Sequence, residues 1–285
     1  MCPVKYSHII ARLIAMSRCC KNLVLMGDQM QLSQPIQGSH PKESGLSILD
    51  YLLHEQATIS DSMGIFLNTT YRMHSNINSL INAAIYEGKL HIDPANDKQS
   101  IRILGRHTKT DQQNYLNKDS GIIFVPVSHD GNTQSSTEEV SIIKILFQEL
   151  IGKIYTDKMG NERPIDMNDI LIVAPYNQQV NYLQKALGDK ARVGSVDKFQ
   201  GQEAPIVFLS MCTSDANESP RGIDFVFDIR RINVAISRAK VLAIVVGHPG
   251  LLTTRANTPE QMKNINLFSR LVDSSHSFGQ AHCKP

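Results

Sequence analysis

The hydrophobic residues of the chain form two kinds of pattern, which alternate along its length. Continuous apolar runs of strand length occur at Leu23–Met26, Ile65–Leu67, Gly121–Val127, Ile170–Ala174, Ile206–Met211 and Val241–Val246. Apolar residues at helical spacing occur near residues 9–14, 45–53, 77–85, 140–150, 180–187 and 232–236. Because strands alternate with helices, the pattern predicts an α/β fold in which a parallel sheet has helices on both faces.

The polar stretches between these elements predict loops and one helix start. Residues 94–120 are rich in Asp, Asn, Lys and Gln, and we expect them to form a surface excursion. Residues 158–164 (KMGNERP) are typical of a turn-rich loop. Ser136 and Glu139 have the spacing of a capping box before the helix at residues 140–150. The segment after Thr258 is expected to form one more helix and then a tail.

Composition narrows the class of protein only slightly. The 285 residues are 41% hydrophobic and 20% charged, as in a globular chain, and a net charge of +2 neither indicates nor excludes nucleic-acid binding. The five cysteines show no C-x-x-C pair, and their odd number argues against a disulfide framework and favours the reducing cytoplasm. No apolar run reaches the roughly 20 residues that span a bilayer, so we expect no membrane partner.

Four short segments carry the candidate chemistry: LVLMGDQMQL (23–32), TYRMHSNI (70–77), VGSVDKFQGQE (193–203) and RRINVAISRAK (230–240). Taken singly, most have an ordinary interpretation, such as a buried strand and its turn, a surface Tyr-Arg pair or a solvated basic helix. In this order, however, they resemble motifs III, IV, V and VI of the superfamily 1 helicases over roughly residues 8–255. The resemblance is greatest to the branch that includes the nonsense-mediated decay helicase and the flap-processing replication helicase-nucleases.

The resemblance implies a nucleotide site and a nucleic-acid interface. The implied catalytic residues are Arg72, Arg238 and Gln31, the implied cofactor-binding residues are Tyr71, Gly201 and Glu203, and the implied nucleic-acid contacts are Ser195 and Asn177. Arginine suits such a site because a guanidinium is always charged and its planar fork matches phosphoryl oxygens. We expect Arg72, Glu203 and Arg238 to meet near the carboxyl ends of the strands, where ligands bind in open α/β sheets.

Each of the remaining residues has an implied role of its own. Gln31 matches the residue that senses the γ-phosphate, Tyr71 lies against the base, and Glu203 accepts hydrogen bonds from a ribose hydroxyl. Gly201 lets the main chain approach closely because it has no Cβ. Ser195 offers a hydroxyl to a backbone phosphate.

Two parts of a nucleotide motor are not found in the sequence. No G-x-x-x-x-G-K-[ST] loop occurs, because the Gly-Lys steps at 88–89 and 152–153 lack the upstream glycine and the hydroxyl that should follow. The stretch PVKYSHIIAR, in the place of the family's acidic pair, holds no carboxylate. Asp28 follows an apolar strand as a Walker B carboxylate does. Without a phosphate loop to work with, a turn-shaping role is favoured for it.

The resemblance therefore predicts half of an ATP-driven motor. We expect a remnant of the first RecA-like domain at residues 1–40, the second RecA-like domain at 41–255, and a C-terminal helix and tail at 256–285. The complete enzyme would use ATP and Mg²⁺ to move 5′ to 3′ along single-stranded DNA or RNA. This chain is expected to contribute no metal ligand. Until the missing first domain is supplied, we also expect it to be inactive and to bind neither cofactor tightly. A truncated frame, a split gene and a fragment would all give this sequence.

Two other functions fit parts of the sequence. A non-enzymatic nucleic-acid or partner-binding module that has kept the fold would also lack the phosphate loop. A phosphate loop encoded just upstream of the gene would favour the motor over this module. A nuclease is suggested by the E-x-K form of residues 87–89, but a Pro-Asp partner is missing, and packing at a helix end explains the segment better.

Overall fold

The computed structural model describes residues 10, 14, 17–19, 21–32, 41–54, 56–103 and 115–277. Within these residues the strands are β1 (Thr69–Thr70), β2 (His91–Ile92), β3 (Ser100–Arg102), β4 (Gly121–Pro126), β5 (Ile154–Thr156), β6 (Glu162–Pro164), β7 (Ile170–Val173), β8 (Arg192–Gly194), β9 (Ala204–Ser210) and β10 (Ala239–Gly247). The α-helices are α1 (Ile48–Leu53), α2 (Ser75–Ala84), α3 (Thr137–Leu150), α4 (Asn177–Leu187), α5 (Gly222–Val226), α6 (Ile229–Ser237) and α7 (Pro259–Ser277). Among these helices, none is both long enough and apolar enough to cross a membrane.

The central sheet has five parallel strands in the order β4-β10-β9-β7-β8. All seven residues of β9 are buried and so are eight of the nine in β10, as their continuous apolar sequences predict. The parallel sheet expected from the alternation of strands and helices is confirmed. Since all five strands run the same way, their amino ends form one edge of the sheet and their carboxyl ends form the other.

Helices cover both faces of this sheet, as the sequence predicts. Along β9, Val207 and Leu209 point into the cluster formed with α2, α5, α6 and α7. Ile206 and Phe208 point the opposite way, into the cluster formed with α3 and α4. This alternation follows from the period of two in side-chain direction along a strand. The two faces therefore have separate apolar cores.

A small antiparallel sheet, in the order β3-β5-β6, was not expected from the sequence. It occupies part of the regions predicted as a surface excursion and as a turn-rich loop, so these two predictions are wrong at β3 and β6. Ile101 and Tyr155 are buried in the core beside α3, although both stand in polar surroundings in the sequence. Strands of three residues carry too little apolar pattern to be recognised.

Two predicted strands do not form ladders in the structure. At Leu23–Met26 only Leu25 has an isolated bridge, and residues 65–67 belong to no strand. The ladder begins two residues later, where β1 pairs with β2. The predicted helix near residues 9–14 lies largely outside the described residues.

The predicted capping box is half formed. The Ser136 hydroxyl accepts from the Glu139 backbone N–H at 3.1 Å, as expected at the start of α3. The Glu139 carboxylate does not return to Ser136, whose N–H donates to Gln179 Oε1 instead. Glu139 accepts from the Ser210 hydroxyl at 2.6 Å and from the Cys212 N–H at 3.0 Å. The capping-box prediction is wrong in this respect, because donors at the end of β9 and just after it hold the fully buried carboxylate.

Candidate functional site

An ion-pair cluster lies at the amino ends of β9 and β10. Arg72 Nε donates to Glu203 Oε2 at 2.6 Å, and the guanidinium also donates to the carbonyl of Ser237 at 3.1 Å. On the other carboxylate oxygen, Lys240 Nζ lies 2.8 Å from Glu203 Oε1. Residues from three separate parts of the sequence thus meet at one carboxylate.

The charge of Glu203 is fixed by this arrangement. Partial burial opposes ionisation, but the hydrogen bonds from Lys240 and Arg72 outweigh it and lower the pKa of Glu203 to about 2. The carboxylate is consequently ionised at neutral pH. It offers a hydrogen-bond acceptor at a position that two cations already orient.

Arg238 lies beside this cluster at the end of α6. Its side chain is buried, and its Nη2 donates to Gln31 Oε1 at 3.3 Å. Its Nε is buried and has no hydrogen-bond partner among the described residues. Burial, and then repulsion from Arg72, lower the pKa of Arg238 to about 10. A cation with an unsatisfied buried donor is therefore poised next to a second arginine.

The turn that presents Gln31 is shaped by Asp28, as favoured above. Asp28 Oδ1 accepts from the N–H of Met30 at 2.9 Å, and Oδ2 accepts from Gln31 Nε2 at 2.8 Å. The Tyr86 hydroxyl donates to the same Oδ2 at 2.6 Å, and Asn233 donates to the carbonyl of Met30. The turn is thereby fastened to α6 and to the end of α2, which sets the position of Gln31 relative to Arg238.

The cluster lies at the opposite edge of the sheet from the one expected. Glu203 immediately precedes β9, and Arg238 immediately precedes β10. Both therefore stand at amino ends, and Arg72 joins them there through Ser237 and Glu203. The expectation that these residues lie at the carboxyl ends of the strands is wrong. In this chain the charged residues stand on the segments that return across the sheet to the start of the next strand.

The two residues assigned to nucleic acid lie at the carboxyl ends. Ser195 follows β8, and the exposed Asn177 begins α4 after β7. Neither the Ser195 hydroxyl nor the Asn177 amide hydrogen-bonds to another residue in the described part of the chain. A strand of seven residues separates the edges by about 20 Å at β9. Ser195 and Asn177 are thus not brought together with the arginines.

Tyr71 and Gly201 border the arginine cluster in sequence. The Tyr71 ring is exposed. Gly201 has a φ of +81°, and nothing lies within 4 Å of the position that a Cβ would occupy. The left-handed backbone, and not a close approach within this chain, is what requires glycine there.

Sequence reasoning missed several members of the cluster. Lys240 ends the fourth segment, and a lysine directly before the apolar run Val241–Val246 is a usable signal. Tyr86 and Asn233 gave no signal because nothing in their spacing points to Asp28. Arg230, interpreted as a solvated residue, forms an ion pair of 2.7 Å with Asp50. No cluster of three or more metal-ligating side chains occurs among the described residues.

Comparison with known proteins places this geometry in a family. A family model described as an AAA domain matches residues 45–250. The ATP-dependent helicase upf1 of Schizosaccharomyces pombe is 31% identical over 243 residues, which cover 83% of this chain. The chain belongs to the superfamily 1 helicases. Its five-stranded parallel sheet with flanking helices is a RecA-like domain of that family.

Two further relatives show how this chain compares in length. The DNA replication ATP-dependent helicase/nuclease JHS1 of Arabidopsis thaliana is 27% identical over 79% of this chain. The DNA polymerase alpha-associated DNA helicase A of Saccharomyces cerevisiae is 28% identical over 86% of this chain. The matched segment spans 25% of the fission yeast protein, 17% of the plant protein and 37% of the budding yeast protein.

Proposed function

We propose that the chain is the second motor domain of an ATP-driven helicase and hydrolyses ATP only together with a first RecA-like domain. The observation that carries this proposal is the buried Nε of Arg238, which lies beside Arg72 and Gln31 and has no hydrogen-bond partner in the described part of the chain. A buried donor without a partner costs about 1–3 kcal/mol, and more when it is charged. A phosphoryl oxygen at this position would satisfy it.

The two arginines divide the work on the phosphate. ATP, when bound, supplies the phosphoryl group on which negative charge develops as its bond to the β-phosphate breaks. Arg238, already buried and held by Gln31, presents a fixed cation to these oxygens. Arg72 is partly exposed and braced by Glu203, so it adds charge from the solvent side. Arginines in such positions contribute about 10³ to 10⁵ in rate.

Nucleotide specificity would come from the neighbouring groups. Glu203 is ionised and has its orientation fixed, which suits an acceptor for ribose hydroxyls. Tyr71 offers an exposed ring on which a base can stack. Nothing in this arrangement provides the phosphate-cradling loop or the magnesium ligands, which we assign to the first domain.

The nucleic-acid interface is assigned to the other edge of the sheet. Ser195 and Asn177 present free neutral donors there, and such donors commonly contact phosphates. Residues 195–203 run from this edge to Glu203 at the opposite edge and so connect the two sites directly. We assign residues 1–40, 41–255 and 256–285 to the first-domain remnant, the second RecA-like domain and the C-terminal helix and tail. By family, movement is 5′ to 3′ along single-stranded DNA or RNA.

A complementation assay tests the proposal. ATP hydrolysis with and without single-stranded DNA or RNA is measured for this chain, for the first RecA-like domain of a relative, and for the two joined in one polypeptide. The rate of ATP hydrolysis by either part alone should not exceed that of buffer. The joined protein should hydrolyse ATP at about 1–10³ s⁻¹, the usual range for enzymes. Turnover by this chain alone would contradict the need for a first domain. A joined protein that folds and binds nucleic acid but stays inactive would favour the non-enzymatic binding module.

A further inference from the structure

A polar cleft of about 510 Å³ lies at the carboxyl ends of β9 and β10, away from the arginine cluster. Its volume falls within the range of about 300–1,000 Å³ typical of ligand sites. The residues that line it come from the two segments that follow these strands and are mainly hydroxyl and amide side chains, among them Ser214, Asn217 and Thr254, together with Asp215 and Arg255. None of the four helicase-like segments contributes to it.

Buried polar groups hold one lining residue of the cleft, Ser214, in a network of hydrogen bonds. The Ser214 hydroxyl lies 2.7 Å from His129 Nδ1, and His129 Nε2 lies 3.1 Å from the fully buried Glu139. The backbone N–H of Asn132 donates to the same hydroxyl at 3.0 Å. A series of Ser, His and acid is also found in hydrolases. Here, however, the serine oxygen already accepts a hydrogen bond from a backbone amide, and the imidazole is wholly buried. The chain of hydrogen bonds therefore orders the cleft rather than activating a nucleophile.

One cation in the cleft, Arg255, is available to bind a ligand. Arg255 is exposed and forms no ion pair with the residues that the structure describes. The cleft's carboxylate, Asp215, is partly engaged because its Oδ1 accepts from both the N–H and the side-chain amide of Asn217. A guanidinium among neutral hydroxyls matches the chemistry of a sugar-phosphate backbone, and Asp215 can accept from a sugar hydroxyl or a base amine.

The position of the cleft gives it a role relative to the proposed interface. Along the carboxyl edge the order β8, β7, β9, β10 places Ser195 first, Asn177 second and the cleft third. Three strand spacings of about 4.8 Å separate the two ends of this row, roughly 14 Å in all. We infer, on the basis of the proposed function, that the Arg255 cleft is a further subsite for the backbone of a single nucleic-acid strand lying along this edge.

The salt dependence of binding tests this inference. Binding of labelled oligothymidylate and oligouridylate of about 15 nucleotides, the upper end of typical single-strand site sizes, is measured by fluorescence anisotropy at several salt concentrations. Arg255→Ala should reduce the slope of log affinity against log salt by about 0.7, the value for one phosphate contact on a single strand. The matched control Arg270→Ala removes an exposed arginine on α7 and should leave the slope unchanged. Thr254→Val removes a lining hydroxyl and should weaken binding about two- to tenfold without changing the slope.

The other possible outcomes would contradict the subsite, the proposed interface or both. Equal slope changes in Arg255→Ala and Arg270→Ala would show a general charge effect and overturn the subsite. Normal binding by the Arg255→Ala and Thr254→Val variants would overturn the subsite while leaving the proposed interface at Ser195 and Asn177 intact. A wild-type chain that binds neither oligonucleotide at low salt would overturn both. The complementation assay on ATP hydrolysis would still judge the nucleotide site separately.

Discussion

Arg238 and Arg72 differ in burial, and this difference determines what each can do. Arg238 is 4% exposed and its buried Nε has no hydrogen-bond partner among the described residues, whereas Arg72 already donates to Glu203 and Ser237. Moving a buried cation is costly, so Arg238 is preorganised for a phosphoryl group that arrives from outside the chain. Arg72 must share its guanidinium between Glu203 and any ligand.

Replacing either arginine should affect turnover more than nucleotide binding. In the joined two-domain protein, Arg238→Ala and Arg72→Ala should each lower kcat by about 10² or more, because the charge they contact develops mainly in the transition state. Steady-state kinetics and nucleotide binding are measured together. Arg230→Ala is the control, since this arginine of the same segment pairs with Asp50. Equal losses in binding and kcat would mean that the arginines hold only ground-state phosphate.

The ion pairs of Glu203 predict a pH-dependent contribution to folding. Its folded pKa of about 2 lies below its ordinary value of 4.5, so the ionised side chain stabilises the fold above about pH 4.5. This contribution is lost as the pH falls towards 2. The urea midpoint of Glu203→Gln should lie below that of the wild type at pH 7, and the gap should close between about pH 5 and pH 2. The exposed Glu260 provides the control variant Glu260→Gln, and a gap that is constant with pH would refute the assignment.

At the scale of elements, Glu139 joins the start of α3 to the end of β9 and the residues just after it. Its carboxylate accepts from Ser210, from the backbone of Cys212 and from His129. Glu139→Gln places an amide N–H₂ against groups that are themselves donors, and should destabilise the protein by about 3 kcal/mol. The free energy of unfolding in urea checks this. Glu149→Gln, at a partly exposed position on the same helix, should change it by less than about 0.5 kcal/mol. Similar effects of the two changes would contradict the network.

The elements that the sequence predicts best are those buried on both sides. β7, β9 and β10 are continuous apolar runs because both faces of the sheet are covered, and α2 and α3 show clear helical spacing. The small antiparallel sheet is not predicted, because strands of three residues are too short to show a hydrophobic pattern. Segments 23–26 and 65–67 have the composition of strands, but strand formation also needs a neighbour, and composition does not report one.

The sequence predicts three residues of the candidate site, but not the edge of the sheet at which they lie. The resemblance supplied Arg72, Arg238 and Glu203, which the structure brings together. Which edge of the sheet they occupy depends on where each returning segment ends relative to its strand. Lys240 and Tyr86 join the site only through tertiary contacts, which no spacing in the sequence reveals.

At the scale of the whole molecule, an exposed apolar strip lies on the two segments that lead to Gln31 and Arg72 in the sequence. We define the strip as Val24, Met26, Ile65 and Leu67, whose side chains are 40%, 50%, 86% and 83% exposed. Between the last two, Phe66 points inward and lies 6.3 Å from the ring of Tyr86. Tyr86 in turn fastens the turn of Gln31. Phe66 and Tyr86 therefore link the strip to the candidate nucleotide site, and we expect the proposed first RecA-like domain to pack against it.

Removing the strip should weaken domain association without affecting the fold of this chain. Fully burying an Ile or Leu side chain contributes about 1.5–3 kcal/mol, so the double variant Ile65→Ser and Leu67→Ser should lower affinity for a separately supplied first domain by about 10² or more. Its urea midpoint should match that of the wild type, because both side chains are solvent-exposed here. Ile145→Ser with Ile151→Ser is the matched control, since these residues are exposed at α3 and its end, on the opposite face of the sheet. Association is measured by isothermal titration calorimetry. An equal loss in both double variants would show non-specific adhesion, and undiminished affinity in the first would place the domain interface elsewhere on the molecule.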